Sequence, residues 1–390
     1  MKRFCAQSSS FLSKEASQLS VLEKVHIATK WQSVGKYLSV IGAVMIFMLS
    51  INLLSHSFQG IREDVASSIL LVTTNPFIGL FIGLLLTAVI QSSSISTSII
   101  VALVGSGTIS LSAAVPIVMG ANVGTTLTST IVSLSYITHK RAFRKAISAG
   151  VVHDVYNIIL VVLLFPLEHY YQALSRTSLW LVNSLSITNA QSDDNLVYLG
   201  FSPDGGLGES FLDTIGINWL LLILSFSMLF FSIKYISNII SKSLIGESKD
   251  KLKEYLFYNP YKAFLWGGTL TAAVQSSSIT TSLIIPLVAT SKVSLMKSFP
   301  FIIGANIGTT ITALVASFFA TEVAVSIAIV HLLFNLLGVL IFLPLSSMRR
   351  IPVTIAAFFG HLTLRNRLYG FLYIILMFFI IPFLLIYFNQ

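Results

Sequence analysis

Charge is what this chain has least of: Asp, Glu, Lys and Arg make up 10% of its 390 residues, against 55% hydrophobic. A soluble globule of this size carries about 25% charged residues, so a soluble fold is excluded. Cysteine is nearly missing too. Cys5 stands alone, which rules out an intramolecular disulfide and a cysteine-built metal centre. There is no Walker-type phosphate loop, no His/Cys metal cluster and no nucleophile with a base at workable spacing, so the common enzyme chemistries fall away. The formal net charge of +9 sits between apolar runs, where Lys and Arg orient a membrane protein, and forms no stripe suited to nucleic acid. Residues 1–35 lack the short apolar core and cleavage site of a signal peptide, which makes the first span an uncleaved anchor. What remains is a polytopic membrane protein that is not an enzyme.

What the chain has in abundance is repetition. Gln91-Ser92-Ser93-Ser94 returns as Gln275-Ser276-Ser277-Ser278. Gly120-Ala121-Asn122-Val123-Gly124-Thr125-Thr126 returns as Gly304-Ala305-Asn306-Ile307-Gly308-Thr309-Thr310, at the same offset of 184 residues (275 − 91 and 306 − 122). Asn75-Pro76 and Asn259-Pro260 keep that register, so the chain contains an internal duplication. Gln7-Ser8-Ser9-Ser10 repeats the letters with polar flanks and no other landmark, and reads as a chance match.

Run lengths predict an all-α polytopic membrane protein of two inverted-topology repeats, each with a re-entrant helical hairpin and a broken transmembrane helix, plus a C-terminal span. Residues 1–35 form a cytoplasmic tail. Repeat 1 covers 36–169, with a span from Tyr37 to His56, a hairpin at about 76–104, a broken helix at about 111–135 and a span from Ile147 to Leu167. A polar extracytoplasmic loop fills 170–210. Repeat 2 covers 211–345, with a span from Phe211 to Ile236, a hairpin at about 260–289, a broken helix at about 295–319 and a span from Val323 to Leu345. Residues 346–390 add a cytoplasmic loop and an unpaired span from Leu368 to Phe388. The hairpin runs are too long for one crossing and too short for two, and the paired glycines read as helix breakers. If the hairpins do not cross, the basic tail falls on one side with Lys140-Arg141, Lys249 to Lys253, and Arg349-Arg350, while acidic 170–210 falls on the other. The N-terminus is then cytoplasmic, and an odd number of crossings per repeat turns the second copy upside down.

Ser- and Thr-rich tips with Gln side chains and unpaired N–H groups at a half-helix start suit a tetrahedral oxyanion. The same hydroxyls, and carbonyls freed by a broken helix, also coordinate a small hard cation such as Na⁺. A single Ser-Ser-Ser is as readily packing between helices, but two copies in register point to one shared site. No Lys or Arg lies in these motifs, so a bound dianion needs cations to offset its charge. His153, Asp154 and Asn157 in the first half face His331 and Asn335 in the second; at that spacing His and Asn share a helix face, either as a polar seam or as ligands.

On the paired Gln-Ser-Ser-Ser hairpins, the paired Gly-Ala-Asn-x-Gly-Thr-Thr segments and Val152-His153-Asp154 through Asn157, the chain resembles the type II sodium-phosphate cotransporter family, as a bacterial member. The resemblance implies sodium-coupled uptake of inorganic phosphate across the plasma (bacterial inner) membrane by alternating access, with Na⁺ as co-substrate, no cofactor, and lipid as the surrounding partner. It implies that Gln91, Ser92, Ser93 and Ser94 hold phosphate with Gln275, Ser276, Ser277 and Ser278, and that Gln275 and Ser276 also contribute to sodium binding. Asn157, Asn306, Thr309 and Thr312 are implied as sodium-site residues, and Asn122, Thr125, Thr126 and Thr310 stand beside them as candidates. Asp154 matches the aspartate of family members with electrogenic transport. The chain departs from the family at Tyr136, His139 and Lys140, where relatives carry a Gln and an Asp-Arg, and its central loop lacks the cysteine pair of animal members. Another small anion on the same scaffold, sulfate or a dicarboxylate, is the alternative cargo.

Overall fold

A computed structural model of the chain describes residues 75–184, 218–244, 257–317 and 321–389, with single residues between Ser39 and Leu53. The tail 1–35, most of the first span, residues 185–217 and residues 245–256 lie outside the described residues. Every regular element described is helical. In chain order these are α1 (Pro76–Ile90) and α2 (Ser93–Gly105), α3 (Leu111–Gly124) and α4 (Leu127–Ser133), the long α5 (Lys140–Tyr171), α6 (Ala173–Ser184) and α7 (Asn218–Leu244). The second half brings α8 (Pro260–Val274), α9 (Ser277–Ser282) with its continuation α10 (Ile284–Ala289), α11 (Leu295–Ser317) and α12 (Glu322–Phe342). Then come α13 (Ser346–Arg365), α14 (Leu368–Ile375), a π-helical turn at Leu376–Ile380 and α15 (Ile381–Asn389).

Five described stretches are long and apolar enough to cross a membrane: Leu111–Tyr136, Lys140–Tyr171, Leu295–Val315, Glu322–Phe342 and Leu368–Phe388. The chain is thus an all-α polytopic membrane protein. The arms α1 and α2, of 15 and 13 residues, reach only about 22 and 20 Å, short of the roughly 30 Å of hydrocarbon. Both hairpins begin alike. The Asn75 side chain accepts from Phe77 N at 3.0 Å and Asn259 from Tyr261 N at 2.8 Å, each ahead of a proline at the first helical position.

Glycine sets how closely each first arm lies on the helix after it. A Cβ at Gly83 would strike the Ile117 carbonyl, one at Gly120 the Leu80 carbonyl, and one at Gly124 the Leu84 carbonyl. The second half repeats this contact for contact: Gly267 on Phe301, Gly304 on Phe264, Gly308 on Gly268. Backbones meeting at this range are the small-residue packing of membrane helices. This corrects the broken helix expected at about 295–319. The chain runs there as one uninterrupted helix, Leu295–Ser317, because Gly304 and Gly308 serve helix contact and not helix breaking. In the first half, Thr125 and Thr126 interrupt the helix only slightly, both remaining in the right-handed region.

Two further stretches expected as loops are helical where they are described. The polar stretch 170–210 opens with α6, whose start is held by Glu168: its carboxylate accepts from Leu174 N at 2.7 Å and Ser175 N at 3.2 Å, and from the Ser175 hydroxyl. The loop expected after 345 is α13, a basic amphipathic helix that buries Pro352, Ala356, Gly360 and Thr363 along one stripe. Gly360 lies directly on Ser148 and the Arg144 carbonyl of α5, so α13 packs on α5 through its smallest residue.

The halves interlock through their second arms. Arm α2 packs on α11 and α12, while α9 and α10 pack on α4 and α5. An exchange in which each half does to the other what is done to it is the contact pattern of a two-fold arrangement. Between them Tyr156, Phe299 and Phe342 form a buried aromatic cluster with ring centroids 5.4–6.4 Å apart.

Candidate functional site: paired tips over a buried amide belt

At the tip of each hairpin the backbone makes the same unusual turn. Gln91 and Gln275 sit in the left-handed region at φ 56° and 54°, a conformation glutamine adopts at a cost of about 1 kcal/mol or more. Ser92 and Ser276 then return to extended backbone, at φ −148° and −147°. Their hydroxyls cap the next arm, accepting from Ile95 N at 3.4 Å and Ile279 N at 3.3 Å. That leaves the N–H groups of Ser93, Ser94, Ser277 and Ser278 without an intrahelical acceptor. The tips also touch: the Ser94 hydroxyl donates to the Gln275 carbonyl at 3.1 Å, across 181 residues of sequence.

Hydrogen bonding sorts the tip hydroxyls into two kinds. Ser96, Ser98, Thr280 and Thr281 donate to carbonyls one turn back, at 2.8–3.1 Å. Their protons are committed, so they offer only lone pairs, which suits a cation. Buried Ser93, Ser277 and Ser278 keep their hydroxyl protons uncommitted, and the hydroxyl oxygens of Ser92 and Ser276 accept while their protons are not donated, so these five serine protons remain for an anion. Gln91 is exposed, whereas Gln275 is half-buried.

Beneath the tips runs a belt of buried amides and imidazoles. His153 Nε2 meets Asn306 Oδ1 at 2.5 Å, and Asn306 Nδ2 donates to Asn157 Oδ1 at 2.8 Å. Reciprocally, His331 Nε2 and Asn335 Nδ2 reach Asn122 Oδ1 at 3.2 and 3.1 Å. Asn157 Nδ2 closes the belt on the Asn122 carbonyl at 2.7 Å. The His-x-x-x-Asn pair of each half therefore grips the asparagine of the other. This makes the seam real and constrains any ligand role: both lone pairs of Asn122 Oδ1 are taken, while Asn157 Oδ1 and Asn306 Oδ1 each keep one. Both Nδ1 atoms, His153 and His331, are buried without a partner.

Around the belt, Thr125 and Thr309 donate back to Ala121 and Ala305 at 2.9 and 3.1 Å, and Thr310 to Ile307 at 2.7 Å. Thr312 is buried and its equivalent Thr128 half-buried, and the hydroxyl oxygen of each is enclosed with no partner. Thr128 escaped the sequence reading, although the 184-residue offset from Thr312 marks it (312 − 128). Asp154 is fully buried and paired with no histidine. Thr126 Oγ1 lies 3.1 Å from its Oδ1, and the Tyr373 hydroxyl donates to its Oδ2. Tyr373 stands in the C-terminal helix outside the duplication, and nothing in its local sequence announces the contact. The described residues contain no cluster of three His, Cys, Asp or Glu side chains able to hold a metal ion; the oxygen donors gathered here are hydroxyls, amides and one carboxylate.

These features define a class first: a helical membrane protein with a duplicated core, whose two halves present matched hydroxyl-rich tips to each other. The chain belongs to the Na⁺/Pi-cotransporter family, which it matches over residues 46–175 and 228–365. That is a family of cotransporters, not of enzymes. Curated relatives include human sodium-dependent phosphate transport protein 2B, 28% identical over 90% of this chain and 65% of its own length. Rat sodium-dependent phosphate transport protein 2A is 29% identical over 88% of this chain and 66% of its own length. The mouse 2A protein is 29% identical over 86% and 65%. The chain thus spans just under two thirds of the length of these relatives. No solved structure matches it.

Proposed function

We propose that this chain carries inorganic phosphate across the plasma membrane together with Na⁺, and that the paired tips bind the phosphate. The observation that carries this reading is the meeting of the two Gln-Ser-Ser-Ser tips, Ser94 on the Gln275 carbonyl, where uncommitted hydroxyls and free N–H groups from both halves gather. Donors of that kind suit the oxygens of a tetrahedral anion, and lone pairs of the committed hydroxyls suit the cations that must accompany it. Residues 36–169 and 211–345 act as inverted repeats, with the N-terminus cytoplasmic and residues 170–210 outside. Alternating access then follows from one half rocking against the other about the amide belt. Asn157, Asn306, Thr309, Thr310 and Thr312 serve the sodium sites, with Thr125 and Thr126 in the equivalent places of the first half.

Asp154 makes the cycle electrogenic. No described Lys or Arg neutralises it, and an intramembrane carboxylate calls for a cation. A third Na⁺ accompanying divalent phosphate gives one net positive charge inward. Radiolabelled phosphate uptake into proteoliposomes, with and without an inward Na⁺ gradient, tests the whole reading. Gradient-driven accumulation is expected. Uptake indifferent to Na⁺, or displaced by cold sulfate as readily as by cold phosphate, would overturn it.

A further inference from the structure

At the far end of the second hairpin lies a cavity of about 340 Å³ that the tips do not use. Its polar lining comes from three places. Helix α5 contributes Arg144, Lys145 and Ser148, the turn between α10 and α11 contributes Ser291 and Ser294, and α13 contributes His361. None of its lining residues is acidic. Lys145 Nζ donates to the Ser291 hydroxyl, which holds the ammonium at the rim. Ser294 caps the 23-residue helix α11, its hydroxyl accepting from Lys297 N at 3.4 Å, so the positive end of that helix faces the same space.

The duplication offers an internal control. Helices α5 and α12 align with a shift of 178 residues (331 − 153), which puts Glu322 and Val323 where Arg144 and Lys145 stand. Ser148 and Ser326 are equivalent even in bonding: each donates to the carbonyl four residues back, at 2.9 and 3.0 Å. In the hairpin turn, Gly107 at φ 72° occupies the place of Ser291 at φ 62°. One half therefore keeps the glycine that a left-handed turn favours. The other carries a serine there, against backbone preference, with its hydroxyl on a lysine. The frame is shared and the cations are confined to one copy.

We propose that this cavity is a second binding site, specific for a phosphate group. A guanidinium fork, an ammonium, an imidazole, serine hydroxyls and a helix N-terminus are the donor set that phosphate oxygens take. The cavity lies about 18 Å along the arm from the Ser277 tip, twelve helical rises away, so it is not part of the tip site. Its volume is at the small end of the range for small-molecule pockets and admits a phosphate with attached groups. Two sources carry that chemistry: free inorganic phosphate, and the headgroup of an anionic phospholipid. The proposed topology puts the site on the cytoplasmic side, but its chemistry stands without that topology.

The test is the melting temperature of the purified full chain in neutral detergent, in Na⁺-free potassium buffer at constant ionic strength, where the proposed cotransport site is idle. The probes are inorganic phosphate, short-chain phosphatidylglycerol and, as control, short-chain phosphatidylcholine. Saturable stabilisation by phosphate identifies the free ion as occupant, and by phosphatidylglycerol alone the lipid. In either case R144Q/K145Q should raise the half-saturating concentration about tenfold or more, the size expected for losing a charge-assisted hydrogen bond. Should that pair fail to fold, Ser291→Gly, which copies the other half, should raise it about threefold. The proposal is overturned if neither anion stabilises the wild type, if phosphatidylcholine does so equally, or if the variants keep the full effect.

Discussion

The two halves share a backbone and differ in charge. Their tips superpose in conformation, Gln91 with Gln275 and Ser92 with Ser276, to within a few degrees. Their first arms rest on the same glycines, and each half's His and Asn grip the other's asparagine. The ionisable residues, however, are not matched between the copies: Asp154 stands opposite Leu332, Arg144 opposite Glu322, and Lys297 opposite Ala113. A symmetric frame is what a path open to either side requires, since each half must be able to take the other's place. Charge does not need to be symmetric, because in the proposed cycle net charge would be set once, wherever the carboxylate lies.

The largest expected effect breaks the frame itself. Gly120→Ala and Gly304→Ala each place a Cβ against backbone that cannot move aside as a side chain would. Each should cost about 3 kcal/mol and leave little folded protein by size-exclusion chromatography in detergent. Gly42→Ala, where nothing among the described residues lies within 4 Å, should behave as wild type. If only one of the two core variants misfolds, the halves do not share the load equally.

Next in size is the tip chemistry. Ser93→Ala and Ser277→Ala remove equivalent uncommitted hydroxyls. Each should raise the half-saturating phosphate concentration about tenfold, with normal expression and melting temperature. Unequal losses would show that phosphate sits nearer one tip, and wild-type kinetics in both would remove the tips from substrate binding.

Much of the frame is legible in the sequence because apolar run length and exact repetition are local signals. The runs at Lys140–Tyr171, Glu322–Phe342 and Leu368–Phe388 announce their helices, and the 184-residue register pairs the two tips. The glycines mislead, since Gly-x-x-x-Gly reads alike whether it loosens a helix or lets a neighbour approach, and only the partner helix decides. Helix α13 is hidden because Arg349, Arg350 and Arg365 lower its hydropathy to that of a loop while its buried stripe keeps helical spacing. Tyr373 on Asp154 is beyond reach for another reason: a contact across 219 residues leaves no periodic trace.

The third effect tests the asymmetry of charge. Asp154→Leu gives the first half the residue of the second. One charge moved through 100 mV is worth about 2.3 kcal/mol, so even half of that field at the limiting step speeds wild-type uptake about sevenfold. Vesicles clamped with potassium and valinomycin measure it. The variant should lose the acceleration and keep Na⁺-driven uptake. Wild-type uptake that ignores the potential would remove the third sodium and leave phosphate transport intact.

The smallest effect concerns how a helix outside the duplication serves one half only. The Tyr373 hydroxyl donates to Oδ2 of Asp154 while Thr126 reaches Oδ1, and a carboxylate has about four lone-pair sites. Both hydroxyls and a cation can therefore share it, with the hydroxyls fixing its orientation. Hydrogen bonds between membrane helices average about 0.6 kcal/mol. Tyr373→Phe should thus raise the half-saturating Na⁺ concentration about threefold, with voltage dependence preserved because the carboxylate remains. Tyr369→Phe, on an exposed position of the same helix, should change neither. A fall in half-saturating Na⁺ for Tyr373→Phe would reverse the role, making the hydroxyl a plug that the cation displaces. No change at all would mean that Asp154 is oriented from within its own half, by Thr126, and that the last helix merely covers it.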